Sequence, residues 1–195
     1  MVESERGHPR FARQWLEKCI DEANSLDESS SRALFAADPT VLALGLLATD
    51  LLHLGFVKQG RARLREAHDR ARALRQPGPQ LAVLWLEAEF EVRIGNAERV
   101  AEISEQLIAL IEESGPWPEG RAAHSWLRGW ARAQLEDPRA GYRLIKEGYE
   151  QAFLLGMRIW ASQTLGYAAE ALGRAGDWTG ARRELDGAMQ CAEAV

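Results

Sequence analysis

Leu165-Gly166-Tyr167-Ala168-Ala169-Glu170-Ala171-Leu172, followed by Gly176-Asp177-Trp178-Thr179-Gly180-Ala181, is the stretch that decides the fold. Its small and apolar residues recur at helical spacing, and Gly176-Asp177 divides it into two helices. Reduced to a pattern, Leu165, Ala169, Gly176, Ala181, Leu185 and Ala188 read Leu-x3-Ala-x6-Gly-x4-small-x3-apolar-x2-small. The same pattern stands at Leu44, Ala48, Gly55, Gly60, Leu64 and Ala67. It is weaker at Leu84, Ala88, Gly95, Val100, Ser104 and Leu107, and degenerate at Ser125, Gly129, Glu136, Gly141, Ile145 and Gly148. The steps are even: 40 residues from Gly60 to Val100, 41 to Gly141 and 40 to Ala181. A fixed period of this size means stacked helical pairs, none of which can bury its apolar face alone.

Punctuation between the copies sets the element boundaries. Asp38-Pro39 opens a helix through 54, with Asp38 placed to cap it and Pro39 suited to its first turn. Gly55 ends it, and a second helix covers 57–74. After the break at Gln76-Pro77-Gly78-Pro79 come helices near 80–94 and 97–113, parted by Gly95-Asn96. Gly115-Pro116-Trp117-Pro118 is the next break. Helices near 119–135 and 139–155 follow, parted by Glu136-Asp137-Pro138, and Gly156 precedes the last pair near 158–174 and 178–194. No stretch alternates with period two long enough for a strand. The expected fold is all-α: about four long helical hairpins (38–76, 78–114, 117–155, 157–195) forming one continuous domain. Residues 1–37 supply an N-terminal half-repeat helix and loop. There Ala12, Leu16 and Cys19 reproduce the second-helix signature, 48 residues before Gly60, Leu64 and Ala67, with an insertion at 27–38 taking up the excess. A second helix without its first reads as an array cut open, which is expected either of a piece of a longer protein, the favoured reading, or of an array closed by an irregular cap before Phe11.

Composition narrows the function. Hydrophobic residues make up 46% and charged residues 27%, values of a folded chain. The net charge of −5 argues against a nucleic-acid partner, which calls for a basic face. Arg61, Arg63 and Arg65 cluster, but acidic residues follow and the run reads as a solvated helix face. No apolar run approaches the ~18 residues a bilayer requires, and the start of the chain lacks the apolar core of a signal peptide. Cys19 and Cys191 lie too far apart in an open stack to pair, so a reduced, cytoplasmic setting follows; both occupy small-residue positions and are expected in the core.

The repeat resembles the tetratricopeptide repeat: small residues where two helices of a pair touch, large ones where pairs meet. That family's usual period is ~34 residues, so these copies are longer. Long repeats of this kind resemble the sensor regions of bacterial ATPase-linked class III adenylate cyclases and large ATP-dependent transcriptional regulators. Ala37-Asp38-Pro39-Thr40-Val41, Leu54-Gly55-Phe56-Val57-Lys58-Gln59-Gly60, Arg128-Gly129-Trp130-Ala131 and the stretch from Leu165 to Ala171 carry that likeness. The resemblance implies a right-handed α–α superhelix that binds and does not catalyse. No Gly-x4-Gly-Lys-Ser/Thr loop is present.

The residues themselves also speak against catalysis. His8, His53, His68 and His124 have no second ligand at metal spacing and read as solvated or helix-surface groups. Glu87, Glu89 and Glu91 alternate, so on a helix they do not form a paired carboxylate site. No serine sits in a nucleophile elbow, and no cofactor is implied.

In a tetratricopeptide stack the first helix of each pair lines the concave face. The resemblance therefore projects Gly45, Thr49 and Leu52 inward beside His53, and Trp85, Glu89 and Val92 beside Arg93. It likewise projects Trp126, Trp130 and Ala133 beside Gln134, and Gly166, Glu170 and Gly173 beside Gln163, Tyr167 and Arg174. Three of the seven tryptophans fall on this face, where indoles serve well as binding anchors. The competing reading makes these indoles filling between helices. Trp85, Glu89, Arg93, Trp126, Trp130, Gln134, Gln163, Tyr167, Glu170 and Arg174 are the expected contact residues for a protein or peptide partner or a small effector. Trp15, Trp117, Trp160 and Trp178 read as structural. A second reading is self-association: the edge around Trp15, Leu16 and Cys19 pairing with another copy.

Overall fold

The computed structural model describes residues 8–25 and 38–193. The expectations for residues 1–7 and for the insertion, apart from Asp38, lie outside these. The described residues hold nine α-helices and no strand. They are α1 (Pro9–Ser25), α2 (Pro39–His53), α3 (Val57–Leu74), α4 (Pro77–Arg93), α5 (Ala97–Ser114), α6 (Pro118–Leu135), α7 (Pro138–Leu154), α8 (Ala161–Arg174) and α9 (Trp178–Glu193). One 3-10 turn, Arg158–Trp160, precedes α8. The boundaries follow the sequence punctuation closely. The main difference is α4, which begins at Pro77 inside the expected break, because proline needs no partner for a missing N–H in a first helical turn.

The hairpin turns share one geometry. Gly55, Gly95 and Gly176 adopt φ of +84°, +77° and +78°, the left-handed region that favours glycine. In each, two successive backbone N–H groups fold back onto the last turn of the preceding helix: Gly55 to Leu52 and Phe56 to Leu51, Gly95 to Val92 and Asn96 to Glu91, Gly176 to Gly173 and Asp177 to Leu172. Those bonds satisfy two of the carbonyls that every helix end leaves open. At the third turn Glu136 stands in place of glycine with φ −131°, and the N–H groups of Glu136 and Asp137 both reach Arg132 O.

The chain divides into two compact units at Phe90–Glu91. In the first, α1 packs on α2 and α2 on α3. Leu16 joins Ala43, Leu47 and Leu51 in one core cluster, and Val41, Leu44, Ala67, Ala71 and Val83 form another. Asp38 caps α2 by accepting the N–H of Val41 at 2.9 Å and takes both prongs of Arg70, at 2.9 and 3.0 Å. This ties the start of α2 to the end of α3.

In the second unit α5 packs on α6, α6 on α7, α7 on α8 and α8 on α9, and α6 also meets α8. The degenerate copy has the closest approach. A Cβ on Gly141 would lie 2.5 Å from Gly129 O, and one on Gly148 would lie 2.7 Å from Ala122 O. Only glycine lets these two backbones touch, so the periodic small positions are contact points between paired helices.

Candidate functional site

Seven of the ten expected contact residues fall within one connected row in the second unit. Glu170 on α8 accepts the indole N–H of Trp130 at 2.9 Å and the carboxamide of Gln134 at 2.6 Å, both from α6. The Tyr167 ring tilts against Trp130 with centroids 6.5 Å apart. Gln163 donates to the Tyr167 hydroxyl and accepts from Arg93 at 3.2 Å. Arg174 closes the row at the other end of α8. Spacings of four, three and four along 163, 167, 170 and 174 put these side chains on one helix face, and four-residue steps do the same for 126, 130 and 134.

The expected open indoles require correction. Trp126 is 1% exposed and Trp130 3%. The cause is the number of neighbours: α6 is packed by α5, α7 and α8, which leaves only a narrow strip of it open. Trp126 is therefore filling, and Trp130 reaches the row through its indole N–H. Glu89 is also buried and Trp85 half-buried; both belong to the first unit. The open part of the row consists of Arg93, Glu170 and Arg174, with Gln134, Gln163 and Tyr167 half-buried beside them.

Arg174 is committed elsewhere than expected. Its Nε donates to Ala133 O at 3.1 Å and its Nη2 to Gln134 O at 3.0 Å. Counted from the glycine position, Ala133 O is one of the two carbonyls that the glycine turns satisfy, and the other, Arg132 O, is taken here by the N–H groups of Glu136 and Asp137. Arg174 thus supplies the bond to Ala133 O that the turn at Glu136 lacks and adds one to Gln134 O, and its positive charge suits a helix C-terminus.

Other expectations also change. His124 is buried, and its Nε2 has no hydrogen-bond partner. Burial, then the Arg128 charge, holds its pKa below the ordinary 6.5. Cys19 is exposed and Cys191 only partly buried, because both stand at helix faces that no described neighbour covers fully. Trp15 and Trp178 are 63% and 73% exposed. Trp178 walls an open groove of about 610 Å³ with Gly166, Ala169 and Gly173 as its floor and Leu185, Arg174 and Arg182 around it. The sequence signal for that groove is the run of small residues on α8. Among the described residues no group of three His, Cys, Asp or Glu could hold a metal ion, and no helix is long and apolar enough to cross a membrane.

No protein-family model matches the chain, and no curated protein matches it.

Proposed function

We propose that the chain is a non-catalytic helical-repeat module, a right-handed solenoid of hairpins behind an N-terminal half-repeat, that binds a peptide or protein segment along the α6–α8 row. The observation that carries this reading is the row itself, which joins side chains 36 to 70 residues apart on a partly open surface. Gln134 and Gln163 carry carboxamides that match the donors and acceptors of a peptide main chain, while Arg93 and Glu170 select for side-chain charge. A buried Trp130 beneath them gives the row a rigid base. The setting implied by the tetratricopeptide likeness is a cytoplasmic sensing or assembly module of a bacterial signalling or transcription-control protein.

Panning a random peptide library on the protein tests this. Selected peptides should lose about tenfold or more in affinity on Glu170→Lys and on Arg93→Glu, with helical circular dichroism unchanged. Peptides that bind both variants as well as the original protein would refute the site.

A further inference from the structure

The first unit carries a second surface that the row does not use. On α1, Ala12, Leu16 and Ala23 face the core. An adjoining side, about 100° round the helix from them, is open and holds Phe11 and Trp15, which are 61% and 63% exposed, with Lys18 and Glu22 in line beyond them. At 100° per residue Phe11, Trp15, Lys18 and Glu22 fall within one narrow arc about 16 Å long. Two exposed aromatic rings on one arc form an apolar patch that water solvates poorly. Charge along this helix is asymmetric: Arg10 is exposed near its start, and Asp21 and Glu22 are exposed near its end. Arg10 and Asp21 are eleven residues apart, so they project along the same flank.

We propose that α1 pairs antiparallel with α1 of a second copy about a two-fold axis near its middle. The occupant follows from self-complementarity. An antiparallel pair sets Arg10 of each helix opposite the Asp21–Glu22 end of the other, twice by symmetry, and brings the central aromatic rings together. Parallel pairing would set like charges against each other. Lys18 already lies 5.7 Å over the Trp15 ring within one copy, and the antiparallel mate brings a second Lys18 towards that ring. One helix face is a small interface, so the dimer is weak and reversible, with Kd on the order of 10–100 µM.

Sedimentation velocity across a concentration series should show monomer passing to dimer, with no larger species. Arg10→Glu alone and Asp21→Arg alone should each abolish the dimer. Neither should harm the fold, since an acid in the first turn and a base near the last suit the helix dipole. Mixing the two variants in equal amounts should restore a heterodimer, because each mutant charge then meets its opposite. Trp15→Asp should give a monomer of unchanged melting temperature. A monomer at every concentration overturns the proposal. So does a mass that grows past the dimer, which marks head-to-tail stacking, or a dimer indifferent to these charges.

Discussion

Arg174 should matter more to stability because Glu136 is not glycine. Hydrogen bonds from a charged donor contribute about 1.5–3 kcal/mol each when sheltered. Arg174 is exposed and water competes for both carbonyls, so about 1–2 kcal/mol for the pair is the fair figure. Arg174→Ala should therefore lower the melting temperature by about 2–8 °C. Glu136→Gly permits the left-handed turn that the other three hairpins use, in which the N–H of residue 136 reaches Ala133 O and that of Asp137 reaches Arg132 O, so one of the two Arg174 acceptors is satisfied by the backbone itself. In that background Arg174→Ala should cost about half as much, because only its bond to Gln134 O remains to be lost, a coupling of about 0.5–1 kcal/mol in a double-mutant cycle. The cycle cancels the entropic cost of the new glycine, which enters both arms. Chemical denaturation measures the four proteins, and hydrogen exchange at the end of α6 locates the effect. Equal losses from Arg174→Ala in both backgrounds would show that the guanidinium does not stand in for the missing turn.

Three further outcomes concern His124, two glycines and Tyr142. His124 has a depressed pKa in the folded state, so the native protein resists binding the proton that the unfolded chain accepts. Stability should fall as pH drops below about 6.5, and His124→Phe should flatten that slope in thermal melts at pH 7.5 and 5.5; an unchanged slope would assign it to other groups. Gly141→Ala should destabilise by about 1–3 kcal/mol because its Cβ meets Gly129 O and Ala133. Gly166→Ala, which meets nothing within 4 Å, should stabilise α8 by up to about 1 kcal/mol, and denaturant midpoints of the two variants must move in opposite directions. Tyr142 is held up to about 12, first by burial and then by the bond its hydroxyl donates to Glu184 at 2.8 Å. Its contribution to stability is present below pH 10 and lost as pH rises towards 12, and Glu184→Gln should lower its titration midpoint in an ultraviolet titration.

Helix number and limits were legible because they are written locally. Asp38-Pro39, Gly55, Gly95-Asn96 and Gly176 each specify a cap through their own backbone preferences, whatever packs around them. The small-residue period was legible too, since Gly129, Gly141 and Gly148 mark where backbones touch. Exposure was not legible. Trp126 and Trp178 both sit at helical positions beside small residues, yet one is sealed and the other stands in water. What separates them is how many neighbours each helix has: α6 meets α5, α7 and α8, while the outer side of α9 meets no described helix of its unit. Pattern along a chain carries no such count.

The third copy shows how a repeat survives the loss of its defining residue. Its turn lacks glycine, and by local rules the end of α6 should leave two carbonyls open. The deficit is made good from the next hairpin, by a guanidinium about one repeat further along the chain. Arg174 stands on the α8 face that also carries Gln163, Tyr167 and Glu170. Its partner is the neighbouring helix end, though, and that commitment fixes the geometry of the row: with α8 bound to the end of α6, Glu170 is placed to take both Trp130 and Gln134. A charge that looks like a recognition element thus acts first as a splice between repeats. On the proposed reading, recognition along the row then falls to the side chains that the splice holds in place, Glu170, Gln134, Gln163 and Arg93.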